Sequence, residues 1–127
     1  MIYIFDSNAI IDYLSTSLPS KAMVTMHRIV DQGFFVSVIT KIETLGFASG
    51  NTKVDSYTKS FVNLGIILEL GPDIVQKTID IKRIKKMKTP DAIIAATAIV
   101  HGLTLLSRNL KDFTSIQGLM VIDPHTL

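Results

Sequence analysis

Four acids stand far apart in this chain, Asp6, Glu43, Asp91 and Asp112, and the first three each sit beside a local signal that fixes the backbone around them. Asp6 closes the apolar run Ile2 to Phe5, and an acid ending a buried strand loses hydration that something must replace. Glu43 follows Thr40 at capping-box spacing. Asp91 lies in Thr89-Pro90-Asp91, where a capping hydroxyl, a first-turn proline and an acid at the positive dipole end together start a helix. Taken singly, Glu43 is explained by capping, Asp91 by the dipole and Asp112 by ordinary surface exposure. Taken together they have a different chemistry. Two carboxylates about 4 Å apart at an effective dielectric near 20 repel by roughly 4 kcal/mol, which calls for a cation or a proton. Oxygen ligands without His or Cys select hard ions, so magnesium or manganese is expected over zinc or copper. Such a site serves phosphoryl transfer, where an ion aims water and neutralises charge developing on phosphate.

Just before Asp91 the chain carries Lys82, Arg83, Lys85, Lys86 and Lys88. That run reads either as a solvated helix face or as a patch that displaces counterions from a nucleic-acid backbone, with Lys82, Lys85 and Lys86 the candidate contacts. Arg108 is a further candidate phosphate contact. His27, His101 and His125 are scattered and read as structural or exposed.

The elements that must position these groups follow from periodicity. Short β-branched and aromatic runs predict strands at Ile2 to Phe5, Phe34 to Val38, Ile66 to Leu70, Leu103 to Leu106 and Leu119 to Ile122. Between them, helical spacing predicts a short helix around Ala9 to Leu14 and another from Pro19 to Gly33. A third runs from Thr40 to Ala48, and a fourth over Val54 to Asn63 sets Tyr57, Phe61 and Leu64 on one face. Gly71-Pro72 opens a fifth helix, and Ala92 to His101 is apolar enough to be buried on most sides. Strands alternating with helices give an α/β fold with a mainly parallel, five-stranded sheet. In such sheets ligands gather beyond the carboxyl ends of the strands, where Asp6, the segment holding Glu43, and Asn109 with Asp112 all fall.

At 127 residues the chain reads as one domain, residues 1–127, and 47% hydrophobic residues are ample for a core. Without cysteine, neither a disulfide framework nor a thiolate zinc site is available. No positive n-region precedes the apolar start and no stretch approaches membrane-spanning length, so a cytoplasmic protein is expected. The net charge of +2 by itself says nothing of nucleic acid.

Four segments carry a resemblance: Ile4-Phe5-Asp6-Ser7-Asn8, Ile39-Thr40-Lys41-Ile42-Glu43-Thr44-Leu45-Gly46, Pro90-Asp91-Ala92-Ile93-Ile94-Ala95-Ala96-Thr97-Ala98 and Leu105-Leu106-Ser107-Arg108-Asn109-Leu110-Lys111-Asp112-Phe113. In this order they resemble the PIN-domain ribonucleases, and among them the VapC-like toxins of toxin–antitoxin pairs. The resemblance implies a sheet of order 3-2-1-4-5 with helices on both faces and a Mg2+ or Mn2+ site at Asp6, Glu43 and Asp91. It places Asn8 and Ser107 at supporting positions, with Asn8 orienting the acid beside it. It also implies endonucleolytic cleavage of RNA, often transfer RNA, a homodimer, and a cognate antitoxin covering the active site. The chain departs from many members at Asn109, where an aspartate is common, and the fourth acid is then assigned to Asp112.

Two other readings compete. A dehalogenase-type phosphatase also begins with a strand ending in aspartate, but needs an acid two residues on, where this chain has Asn8. A catalytically silent α/β module that binds RNA or protein would use the basic run, yet gains nothing from negative charge converging beside a phosphate groove.

Overall fold

The computed structural model describes residues 2–127. The opening apolar run becomes β1 (Tyr3–Phe5), joined by β2 (Phe35–Ser37), β3 (Ile66–Leu68), β4 (Thr104–Leu106) and β5 (Met120–Ile122). The order is β3-β2-β1-β4-β5, as the resemblance implied, and every neighbouring pair is parallel. Side chains alternate across the pleat. Phe5 and Leu106 therefore enter one apolar cluster while Ile4 and Leu105 enter the other.

Helices cover both faces. Onto the first cluster pack α1 (Ser7–Leu14), α2 (Ser20–Gln32) and α4 (Thr52–Leu64), through residues such as Ile10, Met26 and Phe61. Onto the second pack α5 (Pro72–Ile84), α6 (Thr89–His101) and the short α7 (Leu110–Phe113). α3 (Val38–Leu45) follows β2, and a 3-10 turn spans Pro124–Thr126. The first cluster is aromatic at its centre: the rings of Phe5 and Phe34 lie 4.7 Å apart and those of Phe34 and Phe61 stack at 5.0 Å. The second mixes large aliphatic side chains with the small ones of α6, where Ala92, Ala95, Ala96 and Ala98 are fully buried. That helix ends at Gly102, whose φ of 65° is the left-handed conformation glycine adopts without penalty.

Several local expectations are corrected. Thr40 caps nothing: Ser37 does, accepting from the Ile39 N–H at 3.1 Å, so the helix starts earlier and Val38 belongs to it. Thr40 is buried instead, its hydroxyl without a partner among the described residues. Thr89 is not the cap of α6 either, since Lys88 holds that position without a side-chain bond. On α4 only Phe61 is buried among the three predicted face residues, while Tyr57 and Leu64 are exposed. Three residues spread over two turns were too few to fix the direction of that face.

Candidate active site

The sheet order reverses about β1, which has β2 on one side and β4 on the other, so the crevice beyond their carboxyl ends is where ligands are expected. Asp6 occupies that point. It is buried, with its main chain tied to the end of β4 by an N–H bond to the Leu106 carbonyl at 3.0 Å. It also caps α1, Oδ1 accepting from the Ser7 N–H at 2.8 Å. Its other oxygen accepts from the Ser107 hydroxyl at 2.8 Å and from the Asn8 amide at 3.3 Å.

Ser107, fully buried just past β4, is the hub of this network. While donating to Asp6 it accepts from Asn8 Nδ2 at 3.2 Å and from the Asn109 N–H at 3.1 Å. Asn109 in turn donates through its amide to Asp112 Oδ2 at 2.8 Å. Asn109 and Asp112 therefore act together, the amide orienting the acid. Glu43, exposed on α3, is reached by the Ser7 hydroxyl at 3.0 Å. A capping residue it is not; among the described residues its one side-chain bond points to the Asp6 end of α1.

Electrostatics ties the acids to one another. Burial raises the Asp6 pKa above the usual carboxylate value, the Ser107 and Ser7 bonds pull it back, and the charges of Asp91 and Glu43 push it up again. For Asp91, in the first turn of α6, burial raises the pKa and the Asp112 charge adds to it, against Lys88. All four acids thus belong to one field. Among the described residues, however, no three acidic or histidine side chains lie close enough to hold an ion in common. The donor set itself, oxygen only and mutually repelling, suits a hard dication, and Glu43 and Asp112 are exposed chains with rotamers to spare.

The basic run is less free than the sequence suggested. Lys82 donates to the Thr89 hydroxyl at 2.6 Å and the Met87 carbonyl at 3.4 Å, and Lys85 donates to the Ser115 hydroxyl. Lys86 is exposed. Arg108 is bound by Asp12. Asp12 and His125 went unread as site residues, although an acid at position 12 on the apolar face of a helix was a signal for the former. Nothing in the sequence marked His125.

The PIN domain profile matches residues 3–119. The chain is a PIN-domain protein. Over 34 residues it is 62% identical to ribonuclease VapC1 of Rickettsia felis, a match covering 27% of this chain and 25% of that relative. A toxin–antitoxin complex from Klebsiella pneumoniae contains a chain 30% identical to it, with a TM-score of 0.73 over 96% of this PIN domain and 97% of that chain. A DNA-bound VapBC from Salmonella typhimurium shares the fold at a TM-score of 0.83 over 98% of both chains, at 18% identity. This PIN domain is thus similar to VapC proteins and to chains seen in toxin–antitoxin complexes.

Proposed function

We propose that this PIN domain is a Mg2+- or Mn2+-dependent endoribonuclease of the VapC type, the toxin of a toxin–antitoxin pair. The observation that carries the reading is Asp6: a buried carboxyl at the sheet's reversal point, fixed by Ser107 and Asn8, its pKa raised by burial first and then by the charges of Asp91 and Glu43. Negative charge collected there favours a ligand of positive charge. The residues that would hold the ion are Asp6, Glu43, Asp91 and Asp112. Bound there, it would supply an activated water and offset charge on the phosphate.

The chain's own residues do the rest. Ser107 and Asn8 lock the orientation of the Asp6 carboxyl, and Asn109 does the same for Asp112. Ser7 steadies Glu43. Cleavage adds water's oxygen to phosphorus, breaks the bond to the departing sugar oxygen and returns a proton to it. Lys86, with Lys82 and Lys85 where RNA displaces their internal partners, guides the backbone toward Asp91. Transfer RNA or another structured RNA is the proposed substrate. A homodimer in the cytoplasm, silenced by its antitoxin, is the proposed state of the protein. The matches to a named ribonuclease and to toxin–antitoxin complexes support this reading.

The test is cleavage of labelled RNA in Mn2+ and in EDTA by the wild type, Asp6→Asn and Asp91→Asn. Activity should require Mn2+ and fall at least about a hundredfold in each variant, the scale of losing an electrostatic partner in a reaction centre. Cleavage that survives EDTA, or both substitutions, would end the metal-nuclease reading.

A further inference from the structure

One face of α1 grips Arg108 twice. Asn8 and Asp12 stand four residues apart on that helix, hence one above the other. Asn8 Oδ1 accepts from the Arg108 N–H at 3.1 Å, and Asp12 takes the side chain, Oδ1 and Oδ2 accepting from Nη1 at 2.9 and 3.2 Å. Asp12 is almost wholly enclosed, its side chain 5% exposed, whereas that of Arg108 is 56% exposed. A third group completes the arrangement. His125, on the C-terminal 3-10 turn, meets Asp12 Oδ2 through Nε2 at 3.0 Å. A carboxylate only accepts, so Nε2 carries the hydrogen. The turn is itself fixed, because Asp123 Oδ1 accepts from the His125 N–H at 2.9 Å.

The position of Arg108 gives this arrangement its meaning. It lies between Ser107, which holds Asp6, and Asn109, which holds Asp112. Asn8, which fixes its main chain, also donates to Asp6. A flexible arginine would lose freedom on meeting a phosphate, and one already held at both main chain and Nη1 has lost it beforehand. No hydrogen bond among the described residues occupies its remaining guanidinium nitrogens, which leaves donors for an anion.

We propose that Asp12 and His125 are positioning residues that present Arg108 as a fixed contact to the RNA backbone beside the acid site. The proposal rests on the nuclease reading for its substrate and on the Asn8–Asp12–His125 geometry for its mechanism. Asp12 and His125 touch no RNA in it; they act through Arg108.

The experiment measures KM and kcat in Mn2+ on a labelled single-stranded RNA, with melting temperature and the salt dependence of RNA binding alongside. Arg108→Ala should raise KM about tenfold with kcat nearly unchanged, and lower the salt slope by about one ion, as expected for one phosphate contact. His125→Ala should raise KM about threefold, and His125→Gln, whose amide keeps a donor, should restore it. Asp12→Asn combined with Arg108→Ala should be no worse than Arg108→Ala alone, since groups acting through one another are not additive. If Asp12→Asn does not fold, the Arg108 and His125 variants decide the matter. Unchanged KM in Arg108→Ala, additive effects, or a His125→Ala protein that only melts earlier would each overturn the proposal. A wild type that cuts nothing in Mn2+ would sink the nuclease reading instead. The salt slope of Arg108→Ala would then judge the positioning proposal alone, an unchanged slope refuting it.

Discussion

At Asp6 two opposed effects meet in a single carboxyl group. Burial and the charges of Asp91 and Glu43 raise its pKa, while the Ser107 hydroxyl and Ser7 amide lower it, and the net direction is up. The sign for stability follows. A carboxyl whose folded pKa exceeds its unfolded value binds more protons when folded, so its contribution to stability is present at low pH and lost as pH rises through the folded pKa. Asp6→Asn should therefore reduce, by the Asp6 share, the fall in stability that the metal-free wild type shows as pH rises above the ordinary carboxylate range, the share of Asp91 remaining. Denaturant midpoints across that interval measure it; identical profiles for the two proteins would refute the assignment. Residue types alone pointed to Asp6, because an acid at the end of an apolar strand is unusual. They misassigned the neighbour of Glu43, since capping-box spacing says nothing of a serine thirty-six positions earlier.

Among the elements, the passage from α4 into β3 is tight. Gly65 has an ordinary extended conformation, so its need for glycine is steric. A Cβ there would lie 2.7 Å from the Phe34 ring and 2.9 Å from Val36. Both neighbours belong to the packed first cluster and cannot withdraw cheaply. Gly65→Ala should accordingly cost about 1–3 kcal/mol, the usual scale of overpacking, read as a lower denaturant midpoint at unchanged slope. An equally stable variant would show that α4 can shift as a unit. The start of α3 carries a similar point about caps: capping-box spacing pointed to Thr40, whereas the helix begins at the end of β2 with Ser37 as its cap.

For the whole molecule, five parallel strands with reversal at β1 set Asp6 at the crevice, where the charges of Asp91 and Glu43 act on it and that of Asp112 acts on Asp91. Their shared charge makes folding sensitive to whatever neutralises it. An ion that binds only the folded state stabilises it by about 2.7 kcal/mol at a hundred times its dissociation constant. Mn2+ should then raise the melting temperature of the wild type, and Asp91→Asn, which removes one donor and one repelling charge, should blunt the rise. A wild-type melting temperature indifferent to Mn2+ would count against any ion site here. Among the described residues no helix is long and apolar enough to cross a membrane.

The amino-acid sequence by itself determined the alternation of strands and helices, the all-oxygen character of the acids and the family resemblance. These are local or type-level properties, carried by periodicity and side-chain chemistry. Tertiary structure alone decided that Ser107 would be the hub, that Asn109 would orient Asp112, and that Asp12 would hold Arg108 and His125. Each of those depends on where distant segments cross, which no local spacing encodes. The sequence offered four acids; the fold adds the hydroxyls and amides that hold Asp6, Glu43 and Asp112.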